Sequence, residues 1–310
     1  MQNIKRIMVA LDLSTMDQQL LEYTRFIASV SEAEKIYFLH IIPNFTQPAN
    51  VDLSFHKSFT VNSPIDEKVK AILSQQVDKV FRPVTAGAVS AGSTAPAPVM
   101  EPDIEIEVIE GMPSRQLLHW TEVKEIDLLI VGKKNKSEGS GITPRQVARK
   151  ASCDVLFLTE GASTTPKKIA IPIDFSDNSA RALQMALRFK QQLPDAELHA
   201  VHILSLLPKD YYFGLDQNAD YRKYFQKEAE KACDQFFSQH ELPKKQVELH
   251  FLQDDYNNTY RQLKDYTESN GFDCILIGAK GHSLFENFLY GSVTERLVDY
   301  VEHIPIMIVR

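Results

Sequence analysis

The sequence predicts two tandem doubly wound α/β domains, each built on a five-stranded parallel sheet. Three observations carry this reading. The chain has 310 residues, about two domains at roughly 150 residues each. Its second half repeats the strand pattern of its first. Its apolar runs are short and near-continuous, as in strands buried on both faces of a parallel sheet, and amphipathic patterns of helical period lie between them.

The repeats can be followed in order. Residues 4–14, IKRIMVALDLS, match 167–176, KKIAIPIDFS: each is an apolar strand running into Asp and then Ser. Residues 36–43, IYFLHIIP, match 198–204, LHAVHIL, and each strand carries a His. DLLIVG at 127–132 matches DCILIG at 273–278, and VLFL at 155–158 matches PIMIV at 305–309. Asp12 and Asp174 are 162 residues apart, as are His40 and His202, whereas Gly132 and Gly278 are 146 apart. The first half therefore carries 16 extra residues between its second and fourth strands. The stretch near 86–102, AGAVSAGSTAPAPVMEP, accounts for them, because Ala, Gly, Ser and Pro cannot bury enough apolar area to fold alone.

Helices fill the intervals. In 62–84, Val69, Ile72, Gln76, Val77, Val80 and Phe81 follow spacings of three and four. In 177–190, Ala182, Leu183, Ala186, Leu187 and Phe189 do the same, with Ser176 or Asp177 as N-cap. Each half reads β-α-β-α-β-α-β-α-β, with right-handed crossovers expected. The domains are expected at 1–160 and 165–310, joined by the polar linker TEGASTTP at 159–166. The fifth strand of each sheet lies at an edge, and both are strongly apolar. An exposed apolar edge invites aggregation, so the two fifth strands are expected to cover one another. Higher oligomers are left open.

Composition excludes several classes. The net charge of −7 argues against a broad nucleic-acid face, which needs concentrated Lys and Arg. Three cysteines without paired spacing give neither a disulfide framework nor a Cys-based zinc site. The N-terminus, MQNIKRIMVALDLS, lacks the pattern of a signal peptide, and no run of 18 apolar residues exists to span a membrane. The expectation is a cytoplasmic protein with no membrane or nucleic-acid partner.

In open α/β sheets ligands sit beyond the carboxyl ends of the strands. In the second half the fourth strand is followed by GAKGHSLFENFLYGSVTERL, which holds Gly278-x2-Gly281-x9-Gly291-Ser292. Glycines let backbone N–H groups approach an anion closely. A helix N-terminus adds unpaired donors and the positive end of the helix dipole. Ser292 and Thr294 add hydroxyls. A single glycine here would be read as a turn residue; three at this spacing and place point to a phosphate cradle.

On these residues the second half resembles the ATP-binding branch of the universal stress protein family, with Asp174 in IPID at the end of its first strand. The resemblance covers nearly the whole chain as two copies and implies a Rossmann-like fold. It implies that Asp174 accepts hydrogen bonds from the ribose or the adenine side of ATP. Pro172 and Ile173 would form the wall beside it, and Ile203 would present backbone to the adenine edge. Gly278, Gly281, His282 and Ser283 would wrap the phosphates from one side, and Gly291, Ser292, Val293 and Thr294 from the other. Mg²⁺ would accompany the nucleotide. An exposed loop His such as His282 has solvation as its competing explanation.

The first half departs from the pattern. Gly132-Lys-Lys-Asn135 replaces Gly-x2-Gly, five residues rather than nine precede Gly141, and Ile142 and Pro144 replace donors. Asp12 is kept. Lys133, Lys134, Lys136 and Arg145 read as a solvated charge cluster. The first half is expected not to bind ATP in the family manner.

Other constellations are weak. No P-loop or nucleophile elbow occurs. None of the nine histidines shows the helical pairing with Glu of a zinc hydrolase, so neither a metal site nor a catalytic residue is expected. The aromatic group Tyr211, Tyr212, Phe213, Tyr221, Tyr224 and Phe225 reads as packing or a partner surface. The function expected is a nucleotide-binding regulatory protein of stress response, with slow ATP hydrolysis left open. The alternatives are an adenine-nucleotide-using α/β enzyme and an interaction module with a vestigial site.

Overall fold

The computed structural model describes residues 4–43, 65–82, 101–134, 144–204, 219–254, 258–280 and 291–310. They form two compact units, Met1–Thr143 and Pro144–Arg310.

The first unit runs β1 (Arg6–Leu11), α1 (Met16–Ser31), β2 (Lys35–Pro43), α2 (Ile65–Phe81), β3 (Asp103–Gly111), α3 (Pro113–Val123) and β4 (Leu128–Lys133). Its strands are parallel, in the order β3-β2-β1-β4. Ile7, Met8, Val9, Leu128, Leu129 and Ile130 are at most 1% exposed, and because successive strand residues point to opposite faces, the sheet is covered on both. The apolar stripe of α2 differs from the expected one. Ile72 is 49% exposed and Leu73 is fully buried, so Leu73, Val77 and Val80 face the core. The spacing Val69, Leu73, Val77, Val80 satisfies the helical period as well as the one starting from Ile72 does, and the period alone does not choose between them. The insertion near 86–102 lies outside the described residues except for Glu101 and Pro102.

The second unit begins with α4 (Pro144–Lys150) and β5 (Asp154–Thr159). It continues through β6 (Lys168–Pro172), α5 (Asp177–Gln192), β7 (Glu197–Leu204), α6 (Ala219–Gln239) and β8 (Glu248–Gln253). Then come α7 (Thr259–Ser269), β9 (Cys274–Gly278), α8 (Ser292–Tyr300) and β10 (Ile306–Val309). Its order is β5-β10-β9-β6-β7-β8, and only β5 against β10 is antiparallel. By sequence α4 and β5 close the first repeat; by contact they belong to this unit. Met307 faces Leu156 across the β5–β10 ladder, and both are about 1% exposed. The expected pairing of the two fifth strands is this ladder. Arg310 donates to the carbonyls of Cys153 at 2.8 Å and Ala148 at 2.5 Å, tying the last strand to the β5 side. Arg145 and Arg149 of α4 both pair with Glu295 of α8, Arg149 at 3.0 Å.

The repeats preserve small devices. Asp127, before β4, accepts the backbone N–H groups of Lys5 and Arg6 at 2.9 Å each. Asp273, before β9, accepts those of Lys167 at 2.8 Å and Lys168 at 3.0 Å. Each carboxylate satisfies donors at the start of the central strand that the ladder leaves over. The Asp-x-Ser turns after β1 and β6 both place the middle residue in the left-handed region, Leu13 at φ 63° and Phe175 at φ 65°.

Candidate functional site

The carboxyl end of β6 is held by β7. Ile173 N–H donates to Val201 O at 2.9 Å, extending the ladder past the last strand residue. His202 Nδ1 lies 2.9 Å from Ile173 O. A carbonyl only accepts, so Nδ1 carries the proton and Nε2 is the lone-pair nitrogen. Burial lowers the pKa of His202, which keeps the ring neutral. Phe175 stacks on His202 at 4.3 Å and touches Phe236 of α6 at 5.7 Å. This stapling offsets the cost of its left-handed backbone.

Asp174 follows. Its Oδ1 accepts from Ser176 N–H at 3.1 Å and from Ser176 Oγ–H at 2.6 Å. Ser176 is the N-cap of α5, its Oγ accepting from Ser179 N–H at 3.3 Å. The capping expected of Ser176 or Asp177 thus falls to Ser176. Asp174 orients the cap rather than being the cap itself.

A cavity of about 320 Å³ opens beyond these strand ends. Pro172, Ile173, Val201, Ile203, Leu263, Ile277 and Val293 give it apolar walls. Asp174, Ser179, His202, Thr259, Lys280, Ser292 and Thr294 supply polar atoms at its lining, and Gly278 and Gly291 complete it. The structure brings nine of the twelve expected residues together here: Pro172, Ile173, Asp174, Ile203, Gly278, Gly291, Ser292, Val293 and Thr294. Gly281, His282 and Ser283 lie outside the described residues. Sequence reasoning missed Ser179, Val201, His202, Thr259, Leu263, Ile277 and Lys280. Lys280 carried a signal, being a cation two residues past a strand-ending glycine, in the loop where the glycine spacing points to an anion.

Three of these residues also have structural tasks. A Cβ on Gly278 would stand 2.7 Å from the backbone of Asn178, so this glycine exists to let α5 approach β9. Gly291 has φ −79°, which any residue adopts, and its N–H donates to Ala279 O at 2.8 Å. The positive φ that a phosphate-cradling glycine can require is not used there. Thr294 is 3% exposed and its hydroxyl donates to Gly278 O at 3.1 Å, which ties α8 to β9. The exposed Ser292 and the N-terminus of α8, with its unpaired first-turn N–H groups, border the cavity, and half-buried Lys280 lines it as well.

The first unit's counterpart is built differently. Asp12 accepts from Ser14 N–H at 3.2 Å, and Lys134 Nζ sits on its other oxygen at 2.7 Å. Lys134 occupies the repeat position of Lys280. Asp17 stands where the second unit has Ser179; it is fully buried and accepts from the N–H groups of Asp12 and Leu13 at 3.2 and 2.8 Å. Burial raises the Asp17 pKa to about 6, with the Asp12 charge adding to the shift. Lys134 is thus paired with one carboxylate, and a second, Asp17, is close enough to feel its charge. Arg145, read as part of a solvated cluster, is 52% exposed and pairs with Glu295 and Asp299. Lys136, Asn135, Gly141 and Ile142 lie outside the described residues.

A family model described as the universal stress protein family matches residues 3–158 and again residues 165–310. A universal stress protein of Methanocaldococcus jannaschii is 26% identical over 147 residues, covering 46% of this chain and 82% of the relative. The solved universal stress protein from Archaeoglobus fulgidus superposes with a TM-score of 0.63 at 15% identity, covering 99% of this chain and 97% of that one. A solved universal stress protein in complex with cAMP is 23% identical over 51% of this chain and 98% of that one, at a TM-score of 0.33. Among the described residues no helix is long and apolar enough to cross a membrane.

Proposed function

The chain belongs to the universal stress protein family, and from that premise we propose that its second unit is an ATP receptor with a regulatory role in stress response. The cavity beyond β6, β7 and β9 carries the reading. Its volume lies within the range of ligand pockets, about 300–1,000 Å³, which bury an apolar body and fix it with a few polar groups. The apolar walls suit a purine. Ile203 would meet the adenine edge, and Asp174 would accept from ribose hydroxyls. Lys280, Ser292 and the N-terminus of α8 would meet the phosphates, with Gly281, His282 and Ser283 completing the loop. Mg²⁺ would be held chiefly by the phosphates, because Asp174 is the sole carboxylate among the described residues lining the cavity and already accepts from Ser176.

A dedicated catalytic role is not part of the proposal, and slow hydrolysis of ATP stays open. The first unit is proposed to have lost nucleotide binding, since Lys134 has taken the carboxylate that would face a ribose. A cytoplasmic setting is part of the proposal. Mass spectrometry of small molecules released from the purified protein tests it. Adenine nucleotide near one per chain supports the reading, and its absence after purification and after incubation with MgATP overturns it.

A further inference from the structure

Toward the amino ends of β7 and β8, outside the residues that line the cavity, three side chains from two strands converge. Register pairs His199 with Glu248 and Val201 with His250, so His199, Glu248 and His250 project from one face of neighbouring strands. His199 Nδ1 lies 2.9 Å from His250 Nε2. Glu248 lies 3.5 Å from His199 Nδ1 through Oε2 and 3.3 Å from His250 Nε2 through Oε1. We propose that His199 Nδ1, His250 Nε2 and the Glu248 carboxylate bind one divalent transition-metal ion of the zinc type, with the remaining position open to water.

The geometry fits that chemistry. Ligands about 2.1 Å from one tetrahedral ion stand roughly 3.4 Å from each other. The three separations bracket that value. Two imidazoles and a carboxylate are borderline donors that select zinc-type ions over magnesium or calcium. Two ring nitrogens at 2.9 Å must share something, because two lone pairs repel; either one proton or one metal ion can lie between them.

The surroundings favour the ion. His199 is 4% exposed, and its Nε2 is buried without a hydrogen-bond partner. Binding through Nδ1 places the proton on Nε2, 3.5 Å from the Glu197 carboxylate, so a small movement of Glu197 completes a carboxylate–histidine–metal relay. Phe272 stands edge-on to His199 at 5.1 Å and Tyr266 flanks His250 at 5.8 Å, fixing both rings. The Glu248 side chain is 65% exposed, which leaves an entry path. Sequence reading expected no metal, because the ligands lie on separate strands and show no local spacing motif.

The test uses the full chain after treatment with a chelator. Titration with Zn²⁺ in a non-coordinating buffer should show one site per chain. Excess Mg²⁺ should not displace it. Co²⁺ should give the intense visible bands of four-coordinate geometry. Glu248→Gln at an exposed position, and His250→Gln, should weaken Zn²⁺ by about tenfold or more and remove the Co²⁺ bands. Near-ultraviolet circular dichroism of Glu248→Gln should match the parent, separating ligand loss from misfolding. Absence of Zn²⁺ binding by the parent overturns the site, leaving a His–His hydrogen bond. Unchanged affinity in both variants overturns it equally, by placing the ion elsewhere on the chain.

Discussion

Lys134 Nζ lies 2.7 Å from Asp12 Oδ2, closing in the first unit the carboxylate whose counterpart, Asp174, borders the cavity of the second. One lysine position thus has two uses. In the first repeat it neutralises the carboxylate; in the second, Lys280 lines the cavity. The asymmetry leads to separable expectations for the two units.

Asp174→Ala should weaken ATP more than inorganic triphosphate. A hydrogen bond to a charged acceptor contributes about 1.5–3 kcal/mol, or roughly tenfold to a hundredfold in affinity. Lys280→Ala should weaken both ligands together and flatten the dependence of binding on salt. Calorimetry with the two ligands at two ionic strengths checks this. Equal losses for both ligands in Asp174→Ala would reduce Asp174 to a support for the α5 cap.

Gly278→Ala should destabilise the second unit, whereas Gly132→Ala should cost little. The added methyl at 278 meets Asn178 backbone at 2.7 Å, which cannot yield without shifting α5. At 132 it meets Met16 Sδ at 2.8 Å, the end of a flexible side chain that can turn away. Overpacking of the first kind costs about 1–3 kcal/mol. Denaturant midpoints of the two variants give the comparison, and equal midpoints would contradict it.

Stability of the first unit should depend on pH through Asp17. Its folded pKa of about 6 lies above the unfolded value of 3.8, so the folded state holds a proton that the unfolded state releases between them. Stability therefore falls as pH rises from about 4 to about 6 and levels off above, by up to about 3 kcal/mol. Asp17→Asn should flatten that slope whatever constant offset it introduces. Unfolding curves across pH 4–8 decide; an unchanged slope in the variant would contradict the assignment.

Much of this was legible in the sequence, for local reasons. Apolar strands ending in Asp-x-Ser, and a His twice at one offset, mark β1, β2, β6 and β7, because each motif performs a backbone task within its own turn or against the next strand. His40 Nδ1 meets Leu11 O at 2.9 Å as His202 meets Ile173. What stayed hidden is tertiary. The α2 stripe could start at Ile72 or Leu73, and only the sheet beneath decides. Thr259 and Leu263 reach the cavity from α7, after a strand that no glycine motif flags. The Arg145 and Arg149 pairing with Glu295, and the His199–His250 pair 51 residues apart, join distant segments without local spacing.

Met307→Lys should unfold the β5–β10 region. The side chain is 1% exposed, and a lysine there would bury an unpaired charge. Losses of several kcal/mol attend such burial. Dye binding to newly exposed apolar surface, beside an exposed-site control such as Ile72→Lys, measures it. Equal dye binding by the two variants would contradict the packing assigned to β10.

The central claim, one nucleotide site and in the second unit alone, is tested most directly by calorimetric titration of the full chain with MgATP. The parent and Asp12→Ala should each bind one equivalent with similar affinity. Gly291→Val should lose binding while keeping its fold, because φ −79° accommodates valine and the added side chain would stand in the cavity lining. Two equivalents in the parent, or undiminished binding by Gly291→Val, would contradict the account.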